Sequence, residues 1–258
     1  MTTQKSATDL HWNTRAKSVE TDVEVNIMDI FQRELEYDFI TSRLKPDMTM
    51  LEVGCGNGFS SNRLRPLVER LVSFDFAEDM IERAKATYGE TNNTFLHDTV
   101  LAPTKVAGQY DTVLCVRVLI NLRNLDEQHR ALRNLTDFVK PGGQLLLLEG
   151  FTEGFDGLSD ARSRLGLPPV QPAAINFYSS VDECLRDLRN QYVVEEDFHL
   201  GAYDYLTRVV YPFLVGAENV KHNTEFSEKS ATLARQMDPS YFPGMSRVRG
   251  FAMRKNAK

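Results

Sequence analysis

The chain has 258 residues, of which 42% are hydrophobic, 26% charged and 10% aromatic. This is an ordinary globular balance that excludes global disorder and low-complexity classes and allows one or two domains with a full core. A formal net charge of −6 at neutral pH argues against a dedicated nucleic-acid binder, which needs a basic stripe to replace released counterions. Cys55, Cys115 and Cys184 are far apart and form no CxxC pair, which argues against a disulfide framework or a metal cluster and for small core residues in a reducing cytoplasm.

The first twenty residues are polar and lack periodicity, apart from His11-Trp12-Asn13-Thr14-Arg15, and they contain no apolar signal region. A helix is predicted from Asp22 to Leu44. Asp22 can cap it, Ile27, Ile30, Phe31, Leu35 and Phe39 recur at helical spacing, and Lys45-Pro46-Asp47 ends it. Strands and helices then alternate. Met48 to Val53 reads as a buried strand, and Phe59 to Arg70 as helical with an interruption at Pro66. Leu71 to Phe74 is a strand ending at Asp75, Glu78 to Tyr88 a helix, and Thr94 to Leu96 a strand ending at His97-Asp98. Asp111 to Val116 is a strand, Asp126 to Val139 a helix, Pro141-Gly142-Gly143 a turn, and Gln144 to Leu148 a strand ending at Glu149. Five strands separated by helices imply right-handed crossovers and a parallel sheet covered on both faces. Beyond Glu149, residues 151–180 read as irregular, Val181 to Arg189 as a short helix, and Tyr192 to Leu200 and Met245 to Arg254 as strands. Residues 201–244 lie between those strands with helical character at Tyr205 to Leu214 and Ser227 to Gln236. The longest aliphatic run, Leu145 to Leu148, is far below the roughly 18–20 residues of a membrane span.

The sharpest local signal is Leu51-Glu52-Val53-Gly54-Cys55-Gly56-Asn57-Gly58, set between an apolar strand and a helix. Glycine suits a site where backbone turns sharply against a ligand, and the following helix N-terminus offers free N–H groups. Asp75, seventeen positions after the last glycine, ends the next strand, where an acid accepts hydrogen bonds from ribose hydroxyls in a βαβ nucleotide site. Asp98 ends the third strand beside the same crevice and can accept from an exocyclic amine; taken alone, Asp75 and Asp98 also suit a helix cap and a turn.

On these segments, together with Asp75-Phe76-Ala77-Glu78-Asp79-Met80-Ile81, Leu96-His97-Asp98, Tyr110-Asp111-Thr112-Val113 and Val139-Lys140-Pro141-Gly142-Gly143, the chain resembles the class I S-adenosylmethionine-dependent methyltransferases over roughly residues 45–150. The resemblance implies that Glu52, Gly54, Cys55, Gly56 and Gly58 flank the methionine part of the cofactor, that Asp75 holds the ribose, and that Phe76 touches the adenine. It implies that Asp98, with Thr99 nearby, accepts from the adenine amine, and that Cys115-Val116-Arg117 ends the strand beside sulfonium and acceptor. His11, Trp12 and Arg15 are placed to order over the cofactor, Trp12 alternatively being a packing anchor. The implied fold is α/β: a Rossmann-like doubly wound, seven-stranded, mostly parallel sheet with an antiparallel C-terminal pair and a helical lid insertion. Three parts are expected: residues 1–44 over the cofactor cleft, 45–150 binding the cofactor, and 151–258 completing the sheet with a substrate lid at about 201–244.

Methyl transfer from sulfur rests largely on positioning and desolvation, so no fixed triad is expected. The chain lacks an Asn/Asp-Pro-Pro-aromatic tetrapeptide at Cys115-Val116-Arg117-Val118, which argues against amino methylation of nucleobases or glutamine. Candidate acceptor-side residues are His199 as a base, Tyr205 as a wall and Arg208 as an anion contact, with Asn176-Phe177-Tyr178 as a second wall. An anionic acceptor would need Arg117 and Arg208 to act locally against an unfavourable overall field. From Glu149 onward the chain is more loosely similar to bacterial methyltransferases encoded with surface-polysaccharide or secondary-metabolite enzymes, on Glu149-Gly150, Gly166-Leu167-Pro168-Pro169 and the run Tyr205 to Pro212. The expected function is methyl transfer to a small-molecule or glycan acceptor, at oxygen, in the cytoplasm, with no nucleic acid, no metal and no membrane span. A homodimer is left open. The alternatives are an NAD-dependent dehydrogenase on the same sheet, which calls for a GxGxxG loop that this chain lacks, and a non-catalytic subunit that binds the cofactor without turnover.

Overall fold

The computed structural model describes residues 7–26, 28–89 and 91–257. In chain order these form α1 (Ala7–Ser18), α2 (Asp22–Asn26), α3 (Ile30–Thr41), β1 (Thr49–Val53), α4 (Phe59–Leu64), β2 (Arg70–Asp75), α5 (Glu78–Tyr88), β3 (Asn93–His97), β4 (Tyr110–Val116), α6 (Leu125–Phe138) and β5 (Val139–Gly150). There follow α7 (Thr152–Ser163), α8 (Val181–Leu185), β6 (Tyr192–His199), α9 (Gly201–Tyr205), α10 (Tyr211–Val215), α11 (Glu225–Gln236) and β7 (Val248–Lys255). The seven strands make one sheet in the order β3-β2-β1-β4-β5-β7-β6. The first five run parallel, and β7 pairs antiparallel with both β5 and β6. The order reverses between β1 and β4, which opens a crevice at their C-terminal ends, the place where open α/β sheets bind ligands.

Helices cover both faces, so the central strands are apolar without alternation. In β5, Leu145 and Leu147 pack with Leu132 and Leu135 of α6, while Leu146 and Leu148 pack with Leu35, Phe39 and Ile40 of α3. Strands buried on both faces need this continuous pattern.

Several boundaries differ from those predicted, each for a tertiary reason. The single helix expected from Asp22 to Leu44 is two. Asp29 breaks it, capping α3 through the Gln32 amide at 3.0 Å, and Asp22 instead accepts from Arg83 at 2.7 Å; Ile27, part of the predicted pattern, lies outside the described residues. Residues 7–18, which lack a helical pattern, form α1 because Ala16 and Trp12 pack with Met80 of α5 and with Ala77, the residue that precedes it, and Lys17 pairs with Asp79 at 2.8 Å. The turn expected at 141–143 is absorbed into an irregular start of β5. Within the span expected to be irregular, α7 contains two glycines that look like loop residues in sequence. A Cβ at Gly154 would lie 1.8 Å from the carbonyl oxygen of Ser246, and one at Gly157 2.1 Å from that of Gly244, so these glycines serve close packing.

Residues 201–215 form one helical run, with a π-type segment at Leu206–Val210 ahead of Pro212. Proline has no N–H to offer the carbonyl four residues back. That carbonyl, of Arg208, accepts instead from the Arg162 guanidinium. The run docks on α3. Tyr203 donates to Asp29 at 2.7 Å, Arg208 pairs with the same carboxylate at 2.9 Å, and fully buried Asp204 holds the Arg247 guanidinium at 2.8 Å. Arg247 continues to Gln32 at 3.0 Å, and Gln32 to Glu36 at 2.9 Å. No described helix is long and apolar enough to cross a membrane.

Removing one partner from a buried ion pair leaves the other uncompensated. Asp204→Ala is therefore expected to cost about 3–5 kcal/mol in urea unfolding; a midpoint equal to wild type would show that the pair contributes nothing.

Candidate active site

β1 feeds directly into a turn in which Gly54, Gly56 and Gly58 have φ of 71°, 54° and 77°, the left-handed region that a side chain resists. At Gly54 space is as restrictive as conformation, since a Cβ there would sit 2.3 Å from Val118 Cγ2. The amides of Gly54 and Cys55 donate to the Phe74 carbonyl at 2.8 and 3.1 Å, which ties the turn to the end of β2.

Asp75, the last residue of β2, is buried. Its Oδ2 accepts from the Gly56 amide at 2.9 Å and its Oδ1 from the Ala77 amide at 2.8 Å. The Phe76 amide is a further backbone donor to the same carboxylate, so of its four acceptor positions one remains for a ligand. Burial raises its pKa, partly offset by these amides. Glu52, preceding the turn, is pushed up to about 7 by burial against the opposing effect of hydrogen bonds from Ser61 and Ser73. Asp98 differs: burial raises its pKa, but the amides of Thr99, Thr104, Lys105 and Val106 outweigh that and hold it below the usual carboxylate range.

The opposite wall is built by the turn after β4 and by α3. Glu149, at the end of β5, accepts from the amides of Val118, Leu119 and Ile120 at 2.7, 2.9 and 3.4 Å. Burial still leaves its pKa at about 7. This grip sets a turn in which Arg117 has a positive φ of 52°. The Arg117 guanidinium meets both oxygens of Glu36 at 2.6 and 2.7 Å. Trp12 of α1 donates to Asn121 at 3.0 Å and so closes the cleft from above.

These elements enclose a cavity of about 530 Å³, within the range of small-molecule and cofactor sites. Glu52, Gly54, Cys55, Gly56, Asp75, Phe76, Asp98, Thr99, Arg117 and Trp12 line it together. Gly58 sits one step back, against Ala84 and Phe95. Cys115 is fully buried beside Glu149 and does not line the cavity. Arg15 borders a neighbouring open cleft, with its guanidinium on the carbonyls of Val25 and Glu24. The expected acceptor-side trio is not brought to the cavity. His199 is engaged by the Pro239 carbonyl, Tyr205 stacks on Phe242 at 4.6 Å, and Arg208 is neutralised by Asp29. No residue of 201–244 lines the cavity, so the insertion does not roof it; it buttresses α3 from outside. Sequence reasoning missed Arg33, Glu36 and Tyr37, which line the cavity from α3. Their i, i+3, i+4 spacing opposite the apolar stripe was the available signal.

Residues 50–143 match the family model described as a methyltransferase domain. Nodulation protein S of Bradyrhizobium diazoefficiens is 32% identical over 96 residues, covering 37% of this chain and 46% of the relative. The ubiquinone biosynthesis O-methyltransferase of Coxiella burnetii is 29% identical over 98 residues, covering 37% and 41%. The match thus spans less than half the length of these relatives. Among solved structures, the N-methyltransferase NodS of Bradyrhizobium japonicum, in complex with S-adenosyl-l-homocysteine, superposes with a TM-score of 0.59 at 15% identity, covering 98% of this chain and all of that one. A Haloferax volcanii putative methyltransferase complexed with the activator Trm112 gives 0.61 at 14% identity over 99% of this chain and all of that one. At such identities these likenesses concern the fold.

Overfilling a packed turn typically costs about 1–3 kcal/mol. Gly54→Ala combines that with an unfavourable φ, so thermal unfolding should show a loss of at least this order; an unchanged melting temperature would contradict the close approach to Val118.

Proposed function

We propose that this chain, whose residues 50–143 match the methyltransferase domain, is a class I S-adenosylmethionine-dependent methyltransferase acting on a small molecule. The observation that carries this reading is the strand-end geometry around Asp75. Its carboxylate lines the cavity and keeps acceptor capacity beyond the backbone amides that hold it, which suits ribose hydroxyls, and the adjacent turn leaves no room for a Cβ at Gly54. These features fit the adenosyl and methionyl parts of the cofactor.

In this reading Asp75 holds the ribose hydroxyls, Phe76 walls the adenine, and the Gly54–Gly56 backbone with Glu52 receives the methionine part. Asp98 is not assigned the adenine amine, because four backbone donors already occupy its carboxylate; it positions the 99–106 loop, from which Thr99 lines the cavity. When bound, the cofactor supplies an electrophilic methyl group on sulfur. The chain positions the acceptor in line with that methyl and excludes water, the effects that count most in such displacements. Oxygen is favoured as the methylated atom. A cationic amine would want an unpaired carboxylate, whereas Glu36 is paired with Arg117 and Glu127 with Arg123. Three buried, unpaired thiols support a reducing, cytoplasmic setting.

Calorimetry with S-adenosylhomocysteine should show binding by wild type and a loss of about tenfold or more in Asp75→Ala, since a charge-assisted hydrogen bond contributes about 1.5–3 kcal/mol. Absence of binding by the wild-type chain would sink the proposal. A second measurement concerns pH. With its pKa raised to about 7 in the folded protein, Glu52 ionises only as pH rises through that value, and the ionised form is the one that attracts the cofactor's amino group. Affinity for S-adenosylhomocysteine is therefore expected to increase between pH 6 and pH 8, and Glu52→Gln should flatten the profile. An unchanged slope in the variant would remove Glu52 from this role.

A further inference from the structure

A cleft of about 430 Å³ neighbours the cavity, and Trp12 and Asn176 border both spaces. Besides these two, the cleft is bordered chiefly by His11, Met28, Ala173, Ala174 and Ile175, and its Arg15 guanidinium is committed to two backbone carbonyls. The indole N–H of Trp12 is likewise committed, to Asn121. The cleft therefore offers ring and aliphatic surface but no free charge among its described residues. On the cavity side of the junction, Arg117 and Arg123 are closed by Glu36 and Glu127.

Asn176 is the exception in this satisfied surface. Its Nδ2 donates to the Tyr178 hydroxyl at 3.0 Å, while its Oδ1 is buried and has no hydrogen-bond partner among the described residues. Turning the amide over would only exchange which head is left unpartnered. The residue is not adrift. The next amide, of Phe177, donates to the Ile120 carbonyl at 2.8 Å, and the Tyr178 ring lies so close to Gly150 that a Cβ there would be 2.7 Å from it. The Asn176 side chain borders both spaces, and its enclosed oxygen leaves one hydrogen bond to be completed when the amide turns toward a ligand there.

We propose that Asn176 is an acceptor-binding residue: its amide hydrogen-bonds the hydroxyl of an uncharged ring compound whose body lies in the cleft between α1 and residues 173–175. This rests on the methyltransferase reading and specifies its acceptor class. Near the junction the guanidiniums of Arg15, Arg117 and Arg123 are committed, which disfavours a carboxylate or phosphate there, and the apolar cleft favours a flat hydrophobic face.

The test uses the whole chain saturated with S-adenosylhomocysteine and follows catechol, methyl β-glucoside and 4-hydroxybenzoate by saturation-transfer NMR titration. Catechol and the glycoside separate an aromatic from a sugar ring. One of the two neutral probes should bind, and 4-hydroxybenzoate more weakly. In Asn176→Ala that binding should fall about tenfold, the effect of one hydrogen bond to a buried amide, while S-adenosylhomocysteine affinity and melting temperature stay at wild-type values. Asn176→Asp, which keeps an acceptor oxygen, should restore most of it. The proposal is overturned if neither neutral probe binds the loaded wild type, if Asn176→Ala binds as well as wild type, or if 4-hydroxybenzoate binds best. Failure of S-adenosylhomocysteine itself to bind would instead overturn the underlying methyltransferase reading.

Discussion

The site depends on buried carboxylates at strand ends being held by backbone amides. Asp75 holds Gly56 and Ala77, Asp98 holds four amides of the 99–106 loop, and Glu149 holds the three amides of the 118–120 turn. A carboxylate taken from water is costly unless such donors replace the hydration. Each acid therefore dictates the path of the loop that leaves a strand, and those loops are the walls of the cavity. The balance is visible in the titration of each group. Four donors keep Asp98 below its ordinary pKa, whereas burial prevails at Asp75 and Glu149 despite three donors each.

The same principle explains what the insertion does. Its helices look like a lid in sequence, yet Tyr203, Asp204 and Arg208 turn inward to Asp29 and Arg247. From Arg247 a continuous polar chain runs through Gln32 and Glu36 to Arg117 at the cavity wall. The insertion thereby fixes α3, whose Arg33, Glu36 and Tyr37 face the cavity. It shapes the site without touching what occupies it.

Charge follows the same closure. A net charge of −6 set the question of how an anionic acceptor would be held. The structure removes both candidate cations from that task, because Arg117 and Arg208 each meet a buried carboxylate. Arg33, the other guanidinium on the α3 wall of the cavity, lies over the Phe59 ring at 4.9 Å.

The sequence by itself determined the sheet and the side of the cavity built from the glycine turn and the strand-end acids. Alternating apolar strands and helices, the glycine run at 54–58 and acids at strand ends are local patterns, and each corresponds to local backbone geometry. Met48 to Val53, Glu78 to Tyr88 and Asp111 to Val116 are therefore legible within a residue or two of β1, α5 and β4. Tertiary structure alone decided the rest. It folded α1 onto α5, used glycines inside α7 for close packing, broke the helix at Asp29, and chose α3 rather than the insertion as the second wall. These outcomes depend on pairs such as Asp29 with Arg208 or Trp12 with Asn121, more than a hundred residues apart in sequence. No periodicity of one segment encodes the distant partner that satisfies its buried polar groups.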